Sequence, residues 1–144
     1  MDGTSAVAGP GTGSTPETGG VHIVASRPVR VIGPDAPVAE ALRVMRVAGV
    51  RHLPVVAEGR CTGLLVDRDA IAAAADGLTV RVGQLARHPV PTVSPDQDAV
   101  SVARAVLAGG LDAVLVVDDG ALVGIITSTD ALTAIANGPD ATTR

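Results

Sequence analysis

The stretch Arg27–Ala75, RPVRVIGPDAPVAEALRVMRVAGVRHLPVVAEGRCTGLLVDRDAIAAAA, aligns without a gap on His88–Ala136, HPVPTVSPDQDAVSVARAVLAGGLDAVLVVDDGALVGIITSTDALTAIA, when the chain is shifted by 61 positions. Pro28/Pro89, Pro34/Pro95, Asp35/Asp96, Arg43/Arg104, Gly49/Gly110, Val55/Val116, Val56/Val117, Gly59/Gly120, Gly63/Gly124, Asp69/Asp130 and Ala70/Ala131 coincide. The matches fall on turn residues and helix ends, where chance pairing of Ala and Val would not put them. An internal repeat therefore sets the fold.

Each repeat reads strand, helix, strand, strand, helix. In the first, Val29–Ile32 is a short strand and Pro34-Asp35 a turn. Val38, Ala41, Leu42 and Met45 then recur at helical spacing, behind Asp35 and Pro37, which suit a helix start. Gly49 ends that helix. Leu53–Ala57 and Cys61–Val66 flank the hairpin pair Glu58-Gly59, and Asp67 or Asp69 opens a second helix through Ala70–Ala75. The second repeat predicts strand Val90–Val93, a helix from Asp98 through Ala108, Gly110, strand Val114–Val117, turn Asp118-Asp119-Gly120, strand Leu122–Ile126 and helix Asp130–Ala136, with Gly138-Pro139 as its stop signal. A unit of about fifty residues buries little surface alone, so the two are expected to pack as one pseudo-symmetric globule. Residues 1–20, rich in Gly, Ser, Thr and Pro, read as a disordered tail outside the fold. Residues 21–78 form the first unit, 79–138 the second and 139–144 a short tail.

Composition removes several functions. Of 144 residues 47% are apolar, enough for a core, yet Phe, Tyr and Trp are absent and all 11 basic residues are Arg. Without aromatics there is no stacking platform for single-stranded nucleic acid and no Tyr acid/base. Without Lys there is no Schiff base and no P-loop lysine. A net charge of −4 with Arg scattered singly gives no footprint for nucleic acid or an acidic membrane. No apolar run reaches the length of a membrane span. Cys61 alone cannot form an internal disulfide, and no basic stretch leads into an apolar one near the N-terminus, so a cytoplasmic location is the expectation.

The runs His52-Leu53-Pro54-Val55-Val56 and Gly124-Ile125-Ile126-Thr127-Ser128-Thr129-Asp130, set within doubled βαββα units, resemble the cystathionine β-synthase (CBS) domain pair over nearly all of Val21–Asn137. The resemblance implies an α/β fold of two tandem βαββα units, packed with pseudo-two-fold symmetry through their sheets and pairing again as a homodimer. It implies a regulatory role without catalysis and without a resident cofactor, in which an adenosyl small molecule, an adenine nucleotide such as AMP or ATP, is sensed in clefts between the units. A regulated partner protein, not identified by the sequence, follows from that role. A module that has lost its ligand and serves only dimerisation or protein interaction is the alternative.

Thr127-Ser128-Thr129-Asp130 stands where a strand turns into a helix. Free N–H groups at such a helix start suit a phosphate, and the hydroxyls of Thr127 and Thr129 add donors. An ionised Asp accepts hydrogen bonds without donating, as a ribose diol requires. The resemblance makes Asp130 the ribose-binding residue and Thr127 its phosphate-side hydroxyl. The same spacing is also a capping pattern, and both roles stay open from the residues alone.

In the first unit the equivalent run ends in Val66-Asp67-Arg68-Asp69. Asp69 is retained, Val66 replaces the hydroxyl, and Arg68 offers charge to a phosphate. The resemblance places Val50, Arg51 and His52 opposite the Thr127–Asp130 end, and Leu111, Asp112 and Ala113 opposite Asp69. Val and Ile methyl groups would sandwich the base in place of aromatics. Arg51 or Arg30 would favour phosphate at the first site, whereas Asp112 would repel it at the second and Leu115 replaces the proline found at position 54. The pocket ending in Asp130 is therefore the stronger candidate, and Arg68, Asp69, Leu111 and Ala113 mark a weaker one. His22, His52, His88 and Cys61 show no metal-ligand spacing, Cys61 is expected to be a buried structural thiol, and no acid/base pair suggests an enzyme.

Overall fold

The computed structural model describes residues 6–7, 29–77 and 79–142, with side chains described for 29–77 and 79–137. From Arg30 onward the chain divides into two compact units, one ending at Val90 and the other beginning at Pro91. Of the N-terminal stretch read as a disordered tail, Ala6–Val7 (β1) forms a two-residue strand paired with Val29–Arg30 (β2). The rest of that stretch, and the C-terminal tail beyond Thr142, lie outside the described residues.

In the first unit Val38–Ala48 forms α1, because Val38, Ala41, Val44 and Met45 bury one stripe. Gly49, at φ 71°, closes it, and the Gly49 and Val50 amides both reach the Met45 carbonyl. Only a residue at ease with positive φ ends a helix this way. His52–Ala57 (β3) and Arg60–Val66 (β4) then pair antiparallel. Glu58 and Gly59 between them have φ of 54° and 77°, the positive pair that a two-residue type I′ hairpin needs. The register slips after Val55, leaving Thr62 as the extra residue of a bulge, and its hydroxyl donates to the Val55 carbonyl at 3.3 Å. Asp67–Ala75 (α2) follows. Ile32, Met45, Leu53, Leu65 and Val82 lie at the centre of this unit's core.

A further helical turn, Val82–Leu85 (α3), has no counterpart in the sequence reading. Four residues are too few for a period to show. It is tied down by backbone bonds from Val82 to Ala36 and from Gly83 to Pro34, at 2.9 and 2.8 Å.

The second unit reproduces the first at the 61-residue spacing. Thr92–Val93 (β5) runs parallel to Ala113–Asp118 (β6), which pairs antiparallel with Ala121–Thr127 (β7). Ala99–Gly109 (α4) precedes β6. Asp98 caps α4, its carboxylate accepting from the Ser101 amide at 2.7 Å, and Gly110 ends it at φ 70°. Asp119 and Gly120 repeat the positive-φ hairpin, and the bulge recurs at Val123, the equivalent of Thr62. Val93, Val102, Val106, Val114, Val116 and Ile126 form the core.

The last helix differs from expectation at both ends. Ser128–Thr142 (α5) starts two residues before Asp130 and runs through Gly138-Pro139. The early start reflects Thr127 acting as the cap. The Gly138-Pro139 pair thus does not stop the helix, although proline lacks one N–H of its ladder. Among the described residues no helix is long and apolar enough to cross a membrane.

Candidate functional site

The junction of β7 and α5 is held by two reciprocal bonds. The Asp130 amide donates to Thr127 Oγ1 at 3.2 Å, and the Thr127 amide donates to Asp130 Oδ2 at 2.9 Å. This is a capping box with Asp in place of the usual Glu. The Ser128 amide is taken by the Asp112 carbonyl at 2.9 Å, turned toward it by Asp112's φ of 63°. Among the described residues, the Thr129 amide and the second Asp130 carboxylate oxygen have no partner. Both Thr127 and Asp130 are half-buried, Ser128 is half-buried and Thr129 exposed. The capping role is therefore realised, and it leaves an orphan donor beside an open acceptor at the positive end of a helix. Such a pair suits a group that carries both hydroxyls and an anion.

The equivalent junction in the first unit keeps the backbone and changes the chemistry. The Asp67 amide donates to the Arg51 carbonyl at 3.0 Å, as Ser128 does to Asp112. Val66 has no hydroxyl, so α2 starts without a side-chain cap. Asp69, freed from capping, is gripped by Arg87: Nε reaches Oδ2 at 2.8 Å and Nη2 reaches Oδ1 at 2.9 Å. The Arg87 hydrogen bonds hold the Asp69 carboxyl below its ordinary value, burial opposes them, and the charges of Arg87 and Arg68 add to the lowering. Arg68, expected to supply charge here, is exposed, and the residue that does bind Asp69 was not singled out from the sequence. Arg87 lies outside the aligned repeat, and nothing in its neighbours marks it. Its place comes from the edge of β4, where its amide and carbonyl bond the Leu64 carbonyl and amide at 2.8 and 2.9 Å.

Val50 and His52 are half-buried and Arg51 exposed at the entry to β3, while Leu111 and Ala113 are buried at the entry to β6. Within each unit these entry segments are brought to that unit's own helix start, Arg51 to Asp67 and Asp112 to Ser128. Arg30 is exposed on β2. Cys61 is half-buried rather than buried, its Sγ donating to the Gly63 carbonyl at 3.4 Å, and burial pushes its thiol pKa up. Among the described residues no group of three or more His, Cys, Asp or Glu is arranged to hold a metal ion.

The CBS domain family model matches residues 21–76 and 82–137. This chain therefore belongs to the CBS domain family, with two such domains in tandem. Solved structures agree on the fold. The CBS-pair protein CBSX2 from Arabidopsis thaliana superposes with a TM-score of 0.71 at 24% identity, covering 83% of this chain and 96% of that one. CBSX2 in complex with AMP gives a TM-score of 0.70 at 24% identity, over 85% and 98% of the two chains. The cytosolic domain of the Mg2+ channel MgtE in complex with ATP gives 0.61 at 34% identity, over 72% of this chain and 43% of that one.

Proposed function

We propose that this chain is a regulatory module that senses an adenine nucleotide or a related adenosyl ligand at Thr127–Asp130 and passes occupancy to a partner protein, without a catalytic step of its own. The observation that carries this reading is the half-buried Asp130, fixed by Thr127 and left with one open carboxylate oxygen beside the orphan Thr129 amide. The open oxygen accepts from ribose hydroxyls. The Thr129 amide, with the Thr127 and Thr129 hydroxyls as donors, takes phosphate oxygens. The ATP complex of the 34% identical MgtE domain supports the ligand class. Calorimetric titration with AMP, ADP, ATP, S-adenosylmethionine and cyclic di-AMP tests it. Binding of at least one of them, abolished by Asp130→Ala, is expected; silence throughout, or binding indifferent to Asp130→Ala, overturns it.

A second reading, a homodimerisation module without ligand, draws support from the apolar side chains that the second unit leaves in solvent. Leu107 is 80% exposed and Val100 61% on α4, and Leu132 66% and Ile135 53% on α5. Residues 100 and 107, seven apart, share a helix face, as do 132 and 135. Under this reading sedimentation shows a dimer broken by Leu107→Glu, and its melting temperature ignores every nucleotide.

A further inference from the structure

We propose that Arg87 locks Asp69 shut, so that a chain takes one nucleotide, at Asp130, and not two. This rests on the reading of Asp130 as a ligand residue, with Asp69 as its counterpart in the repeat. The two carboxylates differ in one respect that decides ligand access. Asp69 gives both of its oxygens to one guanidinium, at 2.8 and 2.9 Å. Asp130 gives one oxygen to the Thr127 amide, and among the described residues no cation bonds it.

A ribose diol offers two neutral O–H donors. The Arg87 fork takes the open edge of the Asp69 carboxylate with two charge-assisted N–H donors. A diol that seeks the same edge competes with bonds stronger than its own, though weakened by solvent exposure.

Arg87 is an exposed side chain on an anchored stretch of backbone. Its main chain is clamped at both its N–H and its C=O to Leu64 on β4, so the stem of the side chain starts from a fixed point. Gly63 makes that clamp feasible: a Cβ there would lie 3.0 Å from Ala86 Cβ and 3.1 Å from the Arg87 carbonyl oxygen. Val66 adds to the difference between the units, because it offers no hydroxyl to the Asp69 amide or to a phosphate. Arg87 is thus a specificity-determining residue: it sets how many sites the doubled fold presents.

Titration of ATP and AMP into the full chain and into Arg87→Ala, Arg87→Met and Arg87→Ala/Asp130→Ala separates this proposal from the reading beneath it. The expected stoichiometry is one per chain for the unaltered protein, two for either Arg87 variant and one for the double variant. One site in the unaltered protein and still one in Arg87→Ala overturns the lock while the Asp130 reading stands. No site in the unaltered protein and one in Arg87→Ala overturns the Asp130 reading while the lock stands. Two sites in the unaltered protein, or none in any variant, overturn the lock. A readout on the unaltered chain needs no variant to fold: the Arg87 Nε–H proton resonance stays in place at saturating ATP, and its displacement overturns the lock.

Discussion

One hydroxyl separates Thr127 from Val66, and the aspartates three residues later differ in their partners. Asp130 closes a capping box, its amide donating to the Thr127 hydroxyl and its carboxylate accepting from the Thr127 amide, whereas Asp69 gives both oxygens to Arg87. Replacing Thr127 by Val should remove the acceptor for the Asp130 amide and cost about 1 kcal/mol, the usual worth of a lost cap, read as a lower urea midpoint with unchanged slope. Acid should act through Asp69 and Asp98. Asp69 is held below its ordinary pKa first by Arg87, and Asp98 first by the Ser101 amide. A carboxylate depressed on folding contributes stability that is complete above its unfolded value of about 4. That contribution is lost as pH falls through the depressed value. The melting temperature is therefore expected to be flat above about pH 5 and to fall below about pH 4, and an Asp69→Ala/Asp98→Ala variant should show a shallower acid fall. An equally steep fall in that variant would exclude both groups as its source.

Among the elements, the helices of the repeat and both hairpins were legible because they depend on signals that survive in one sequence: an apolar stripe, a Gly at a left-handed helix end, a Glu-Gly or Asp-Gly pair. The elements that escaped are those made by tertiary contact. α3 exists because Ala36 and Pro34 carbonyls receive its first amides, and β2 and β5 extend only as far as their partners let them. The register of α4 against Pro91 is also set by contact. Gly109, its last residue, would as alanine place a Cβ 2.5 Å from Pro91 Cγ, although the equivalent Ala48 of α1 is an alanine already. Gly109→Ala should thus destabilise by about 1–3 kcal/mol through overpacking, outweighing the gain of up to about 1 kcal/mol that alanine usually brings to a helix. Ala48→Gly in the other unit should cost only that propensity. Equal small effects at the two positions, measured by chemical denaturation, would show that the Pro91 ring simply moves aside.

For the whole molecule, the repeat made the fold readable and half of the site with it. Thr127 and Asp130 could be found from spacing, since both partners of the capping box lie within four residues. The state of Asp69 could not, because its partner is 18 residues away in a segment that the repeat does not contain. Two units with the same backbone bond at the helix start therefore differ in side-chain chemistry, and the difference should show in stability. The chain has no Phe, Tyr or Trp, so unfolding must be followed by heat capacity or far-ultraviolet dichroism. A nucleotide that binds only the folded form adds about 2.7 kcal/mol at a hundredfold excess over Kd. A domain of this size moves by several degrees per kcal/mol, so ATP or AMP at that level should raise the melting temperature on the order of 10 °C. The rise is expected to grow with the logarithm of nucleotide concentration, to vanish in Asp130→Ala and to persist in Asp69→Ala. The opposite pattern, a rise lost in Asp69→Ala and kept in Asp130→Ala, would move the ligand to the first unit and leave Thr127–Asp130 as a helix cap alone.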